Sequence, residues 1–334
     1  MLKKLGLSLA ALVLALLAAE LLVRALGAAP QIYVIRKGRF QLSRNPKIGY
    51  EPVPLAYKGH DLSFYDYQGS SNSQGFRDVE HAVAKPAGVY RVVVLGDSIG
   101  AGLKVERYED TFPAILGQLL NARGLRAEVI NLSVSGYNTQ QEVETLIDRG
   151  LRYQPDLVIV AYALSDRGRL DGDIMKTLLE EEGTRQGVSG ARVHPWLVKS
   201  ALYRFLRFRV AAARKPQVVD QRRYLDLVSN DTVAQYLGVL AGLSRQRHFD
   251  VLVAVFPRFV KNFHAYRFGR QHAYVRDLAQ QDGLRFLDLL EPFARCRETS
   301  ETPISADNFH PTAYGHRCAA QAMADEILGQ RRSP

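Results

Sequence analysis

Tyr90-Arg91-Val92-Val93-Val94-Leu95-Gly96-Asp97-Ser98-Ile99-Gly100 is the stretch from which the fold is read. Its first half is a short β-branched run of the kind that fills a buried strand. Its second half is a glycine-flanked turn carrying a serine. Working outward, Asp110 to Asn121 has helical periodicity, Ala127 to Leu132 reads as a second strand, and Thr139 to Tyr153 as a second helix. Pro155 precedes a third buried strand over Asp156 to Tyr162. After an irregular stretch the alternation resumes with helix Asp231–Arg247, strand Asp250–Phe256, helix His264–Gln281 and strand Arg285–Leu289. A last helix runs from about Pro311 to Leu328. Strands alternating with helices at this spacing indicate crossover units and a parallel sheet.

A serine hydroxyl is a poor nucleophile until a neighbouring base takes its proton. On a tight strand-to-helix turn, Ser98 would stand at the carboxyl edge of the sheet, where open α/β folds place their sites. Backbone N–H groups entering the helix there can stabilise an oxyanion. A lone Gly-Asp-Ser is usually a plain turn. The stretch Asp307-Asn308-Phe309-His310-Pro311, just before the last helix, adds the missing base. An Asp three residues before a His can put carboxylate and imidazole on one loop turn, where the acid fixes the tautomer. Between them, Asn131 to Thr139 runs from a strand end into a helix, and Gly136 would let a backbone N–H approach a substrate oxygen.

Taken together, Gly96-Asp97-Ser98, Gly136 and Asp307 with His310 resemble the nucleophile, glycine and terminal blocks of the SGNH (GDSL-type) hydrolase family, in particular its bacterial membrane-anchored members. The resemblance covers roughly residues 72–329. Asn72-Ser73-Gln74-Gly75-Phe76-Arg77-Asp78 also resembles a segment found ahead of the first strand in exported members. It implies a flavodoxin-like three-layer α/β/α sandwich and hydrolysis of acyl esters without metal or organic cofactor. Ser98 would be the nucleophile, His310 the base and Asp307 its orienter, with Ser98 and Gly136 N–H forming the oxyanion hole. One block departs: where the family has Gly-x-Asn-Asp, this chain has Ala163-Leu164-Ser165-Asp166. Ser165 replaces a carboxamide with a shorter single donor, and losing an oxyanion donor typically costs on the order of a hundred- to a thousand-fold in rate. Ser165 is thus a candidate third donor. A generic α/β-hydrolase is disfavoured, because there several strands precede the nucleophile and the acid and His lie on separate loops.

The chain has 334 residues and a formal net charge of +10. Gly183 to Val219 contains eight Lys or Arg and no Asp or Glu, leaving about +2 for the rest. No nucleic-acid-binding motif accompanies this block, and no His pair has zinc spacing. Trp196 to Val210 mixes apolar and basic residues. It reads as a lid helix packed on its own domain, or as a basic amphipathic helix for anionic lipid or a polyanionic substrate. At the N-terminus, Lys3 and Lys4 precede an uncharged run from Leu5 to Ala19, followed by Glu20 to Arg24. This pattern directs export, as a retained single anchor or a peptide cleaved near Gly27-Ala28-Ala29. Glu20 and Arg24, one turn apart, are placed to pair. Cys296 and Cys318 are either a disulfide or two buried thiols.

The expected organisation is a signal anchor or signal peptide over 1–27, a linker and extension over 28–89, and a hydrolase domain over 90–330 with an insertion at 166–228. The expected location is the inner membrane, single-pass, with the domain periplasmic, or secreted after cleavage. The expected partners are an acyl-ester substrate, such as an acylated cell-surface glycan or lipid, and the membrane, but no nucleic acid. An acyltransferase using the same serine, and a non-catalytic surface-binding protein keeping the fold, stand beside the esterase reading.

Overall fold

A computed structural model describes residues 2–26, 40–53, 71–166, 200–203, 205–206 and 232–332. The chain divides into two compact units, Met1–Arg36 with Lys176–Leu225, and Lys37–Met175 with Asp226–Pro334.

In the smaller unit a continuous helix α1 covers Leu2–Ala25. Glu20 pairs with Arg24 at 2.7 Å, as the spacing suggested. The same carboxylate accepts the Ala201 N–H at 2.8 Å, the Leu202 N–H at 2.7 Å and the Ser200 hydroxyl at 2.7 Å. Ser200 Oγ in turn accepts the Tyr203 N–H. Residues 201–203 and 205–206 are helical, so Glu20 and Ser200 between them satisfy the first donors of that helical stretch, which have no intrahelical partner. Among the described residues no helix is long and apolar enough to cross a membrane, and the expected transmembrane span gains no support from them. Most of the expected Trp196–Val210 helix lies outside the described residues.

The larger unit begins with a two-stranded antiparallel hairpin, β1 (Phe40–Leu42) and β2 (Tyr50–Pro52). It continues through β3 (Tyr90–Gly96), α2 (Phe112–Ala122), β4 (Ala127–Asn131), α3 (Thr139–Thr145), β5 (Leu157–Tyr162), α4 (Val233–Arg247), β6 (Asp250–Val255), α5 (Gly269–Gln281), β7 (Arg285–Asp288), α6 (Leu290–Thr299) and α7 (Ala313–Arg332). Strands β3 to β7 form one parallel sheet in the order β4-β3-β5-β6-β7. The first main strand is thus flanked by the second and third, which is the doubly wound, flavodoxin-like order with its switch point beside β3.

The sheet is dry because its central strands are apolar on both faces. Val92 to Leu95, Leu157 to Ala161 and Leu252 to Val255 are wholly buried. One face carries α2, α6 and α7 through Phe112, Leu116, Leu120, Phe293, Ala320 and Met323. The other is covered by α3, α4 and α5, which pack in series. Arg91, though buried within β3, is satisfied: Nε donates to Glu128 at 2.8 Å and its terminal nitrogens to the carbonyls of Ala82, Val83, Ala84 and Tyr153.

The structure corrects two helices. The expected helix from Thr139 to Tyr153 is α-helical only to Thr145, then widens through a π turn (Leu146–Gly150) and tightens through a 3-10 turn (Leu151–Tyr153). The Tyr153 carbonyl is taken by Arg91, which fixes where the chain leaves the helix. The expected helix from His264 starts at Gly269. Ahead of it, Asn262 caps a single 3-10 turn (Phe263–Ala265), and Tyr266 is extended. Tyr266 Oη takes up the Arg258 N–H and His272. Cys296 on α6 and Cys318 on α7 are joined as a disulfide, which resolves the two readings of that pair.

Candidate active site

Strand β3 ends at Gly96, and the chain turns at once. Asp97 Oδ1 accepts the Ile99 N–H at 2.8 Å; the Asp97 carbonyl accepts the Ala101 N–H and the Ser98 carbonyl the Leu103 N–H. Gly100 is required here, because a Cβ would lie 2.1 Å from Ser133 Oγ at the end of β4. The turn is braced from outside by the segment that precedes β3. Buried Arg77 donates to the carbonyls of Ala101, Gly102, Val105 and Glu106. Asp78 accepts the Asn131 N–H at 2.7 Å and the Tyr108 hydroxyl at 2.6 Å. A cation spanning four carbonyls of one loop leaves that loop, and the serine ahead of it, little freedom.

His310 reaches the serine from the loop before α7. Its Nε2 is 3.0 Å from Ser98 Oγ, and its Nδ1 is 2.8 Å from Asp307 Oδ2. Asp307 Oδ1 accepts the backbone N–H groups of Phe309 and His310, both at 2.7 Å. The loop is tied back on itself by Ala306 N–H to His310 O and to the β6 edge by Phe259 N–H to Asn308 O. Burial raises the Asp307 carboxyl, but the His310 ring and the two N–H groups outweigh it and hold the acid below its ordinary range. With Asp307 ionised, Nδ1 carries the proton and Nε2 presents its lone pair to the serine, the arrangement general-base catalysis needs.

Gly136 follows β4 with φ +83°, a left-handed conformation that favours glycine. Its turn and that of Ser98 are neighbours, joined by Val134 N–H to Gly96 O at 3.0 Å. Among the described residues, neither the Ser98 nor the Gly136 N–H donates to another protein group. The β1–β2 hairpin holds the glycine turn in place: Tyr50 Oη donates to Ser135 O at 3.0 Å, and Tyr137 Oη donates to Tyr50 O at 2.7 Å. Ser165 is exposed on the turn after β5 and makes no hydrogen bond to Ser98 or His310. The geometry therefore brings Ser98, His310 and Asp307 into contact and sets Gly136 alongside, while Ser165 stays at the rim.

Three buried carboxyls lie behind the serine turn, and one of them, Glu142, lies in none of the motifs read from the sequence. Burial pushes Asp97 up to about 6. Burial, then the Asp97 charge, raises Glu142 on α3 well above the carboxylate range. Burial, then Glu142 and Asp97, does the same to Asp166. Neither oxygen of Glu142 has a hydrogen-bond partner among the described residues. Such acids are cheapest when protonated. The capping box Asn138-x-x-Gln141, which starts α3, was the available signal that Glu142 points inward from the first turn. His316 on α7 is also buried. Its Nδ1 accepts the Phe112 N–H at 3.0 Å, and desolvation lowers it to about 3, so it is neutral.

Residues 94–318 match the GDSL-like lipase/acylhydrolase family, a span that includes Gly96-Asp97-Ser98, Asp307 and His310. No curated protein matches the chain. Similar solved structures include a catalytic mutant of an acetylxylan esterase from Geobacillus stearothermophilus (15% identity, 74% of this chain and 96% of that one, TM-score 0.45). Others are an acetyl xylan esterase (15%, 71% and 99%, TM-score 0.41) and a psychrotrophic esterase from a Pseudoalteromonas species (12%, 73% and 99%, TM-score 0.41). With the family match covering most of its length, the chain belongs to the GDSL-like lipase/acylhydrolase family and is an ester hydrolase.

Proposed function

We propose that the chain cleaves small acyl esters, O-acetyl groups on a cell-surface glycan among them, with Ser98 as nucleophile, His310 as general base and Asp307 as its orienting acid. The contact chain from Asp307 through His310 to Ser98 carries this reading. Ser98 Oγ adds to the ester carbonyl carbon while its proton passes to His310 Nε2. The carbonyl oxygen, now an oxyanion, is received by the N–H groups of Ser98 and Gly136, and the unengaged Ser165 hydroxyl is a third candidate donor. The imidazolium, stabilised by Asp307, protonates the departing alcohol as the C–O bond breaks, leaving acyl-Ser98. Water then adds to the acyl carbon, giving its proton to His310. Ser98 leaves reprotonated and the acid is released. Purified protein is expected to hydrolyse a short activated acetyl ester, and Ser98→Ala to abolish it; equal rates for the two would overturn the reading.

We further infer that the chain is exported, that its N-terminal segment is retained and keeps it at the membrane, and that the hydrolase domain is periplasmic. Lys3 and Lys4 ahead of the apolar run support export. The disulfide between Cys296 and Cys318 suits an oxidising compartment. Retention is supported by Glu20, whose bonds to Ser200, Ala201 and Leu202 would be lost on cleavage near Gly27. The expected result is a full-length mass in the carbonate-washed membrane fraction. A soluble periplasmic chain beginning near Ala29 would contradict it.

A further inference from the structure

Arg258 lies just past the carboxyl end of β6, and its backbone is fixed on three sides. Phe256 N–H donates to Tyr162 O at 2.9 Å, Arg258 N–H to Tyr266 Oη at 3.0 Å, and Phe259 N–H to Asn308 O at 3.0 Å. Its guanidinium carbon stands 4.0 Å from the centre of the Phe309 ring. A cation is therefore held over the residue that precedes His310 in the chain, on the loop that carries Asp307.

Other buried or half-buried arginines of this unit are engaged. Arg91 has Glu128, Arg149 has Glu51, Arg285 has Glu326 and Arg77 has its four carbonyls. Arg258 is partly buried, yet among the described residues none of its guanidinium N–H groups donates and no carboxylate pairs with it. Desolvation pulls its pKa down, and Tyr266, Asp97 and Asp307 act on it only through their fields. Those two acids are committed elsewhere, Asp97 to the Ile99 N–H and Asp307 to the imidazole and two N–H groups. A guanidinium is a rigid fork that matches a carboxylate. Taking one partly out of water without an acceptor is unfavourable unless a ligand completes it.

Arg258 lines a shallow cleft at the switch-point edge of the sheet. Ile99, adjoining Ser98, forms its apolar wall with Ala163, Leu164 and Phe256, and Arg258 with Phe309 closes another side. Apolar walls with one fixed charge are how small-molecule sites orient a ligand. Arg258 is the one Lys or Arg among the described residues that line the cleft, and a single guanidinium fits a singly charged carboxylate better than a phosphate dianion.

We propose that Arg258 is a specificity residue that pairs with a carboxylate carried by the ester substrate beside the bond cleaved at Ser98. The proposal rests on the serine-esterase reading of the site. The carboxylate belongs either to the acyl chain, as in a hemiester of a dicarboxylic acid, or to the alcohol, as in an O-acetylated uronic acid. Two matched substrate pairs separate these sources: 4-nitrophenyl hemisuccinate against 4-nitrophenyl butyrate, and an O-acetylated methyl galacturonoside against the corresponding galactoside.

Full-length protein, Arg258→Gln, Arg258→Lys and Ser98→Ala would be compared on both pairs. In the wild type, the acidic member of one pair is expected to exceed its neutral counterpart by about ten-fold in kcat/KM, and to lose that advantage as salt rises. Arg258→Gln should bring the ratio close to one, mainly by raising KM for the acidic ester, and Arg258→Lys should restore part of it. The proposal is overturned if neither pair shows a preference, or if Arg258→Gln lowers both members of a pair equally. The latter would make Arg258 a brace for the Phe309–His310 loop. Absence of Ser98-dependent hydrolysis of the neutral esters as well would instead defeat the esterase reading, and the proposal with it.

Discussion

Asp307 holds His310 twice, through Oδ2 to the ring Nδ1 at 2.8 Å and through Oδ1 to the backbone N–H at 2.7 Å. One carboxylate thereby sets both the tautomer of the imidazole and the path of the chain that carries it. Asp307→Asn keeps the size and the backbone bonds but can present an amide donor to Nδ1, which favours the wrong tautomer. We expect kcat to fall by roughly 10³- to 10⁴-fold with an unchanged far-ultraviolet circular dichroism spectrum. A loss below ten-fold would mean that the pair is structural.

Ser165 stands where the family resemblance implies an asparagine, and it is exposed with its hydroxyl unengaged among the described residues. Its removal should therefore matter less than loss of a full oxyanion donor, which is worth on the order of a hundred- to a thousand-fold. Ser165→Ala is expected to lower kcat on an acetyl ester by less than about ten-fold, and Ser165→Asn to raise it. If Ser165→Ala abolishes turnover, the serine is a full donor, reached in the substrate complex.

The Cys296–Cys318 disulfide spans 22 residues that include Asp307 and His310, so it closes a loop that carries both. Chain-entropy arguments for a loop of this length give about 3 kcal/mol of stabilisation. Cys296→Ser with Cys318→Ser should lower the melting temperature and raise the mobility of the loop. Dithiothreitol should lower the wild-type melting temperature alone. Equal melting of oxidised and reduced wild type would refute it.

Glu142 gives stability a pH dependence with a definite sign. Its folded pKa is raised, so between the ordinary carboxylate range near 4.5 and that higher value the folded chain keeps a proton that the unfolded chain has lost. Stability then falls as pH rises across the window. Asp97 adds the same trend up to about 6. Glu142→Gln should therefore melt higher than wild type at pH 8, by roughly 3 °C or more, with the difference shrinking toward pH 4. A difference of equal size at both pH values would show that the Glu142 carboxyl is not raised on folding and would contradict this account.

Much of this architecture was legible in the chain itself. Val92–Leu95 and Leu157–Val160 are apolar on both faces, which only a covered parallel sheet requires, and their observed ends fall within a residue or two of expectation. Ser98, Asp307 and His310 were readable because each lies in a short local pattern whose order along the chain is meaningful. The β1–β2 hairpin was not. Its three-residue strands have no internal period, and Tyr50 is buried only because Tyr137 and Ser135 come to meet it. Helix α6 was missed for a similar reason, since Phe293 alone marks its buried face. Arg258 is one arginine among many in sequence, and only the β6 edge and Phe309 single it out.

The central claim is that Ser98 Oγ is the atom that attacks the ester. An ethyl fluorophosphonate ester, which phosphonylates an activated serine with loss of fluoride, tests this without reference to any substrate. Intact mass should show a single adduct, and peptide mapping should place it on Ser98, with none forming on His310→Ala. Ester hydrolysis without an adduct, or an adduct on another serine, would contradict the account.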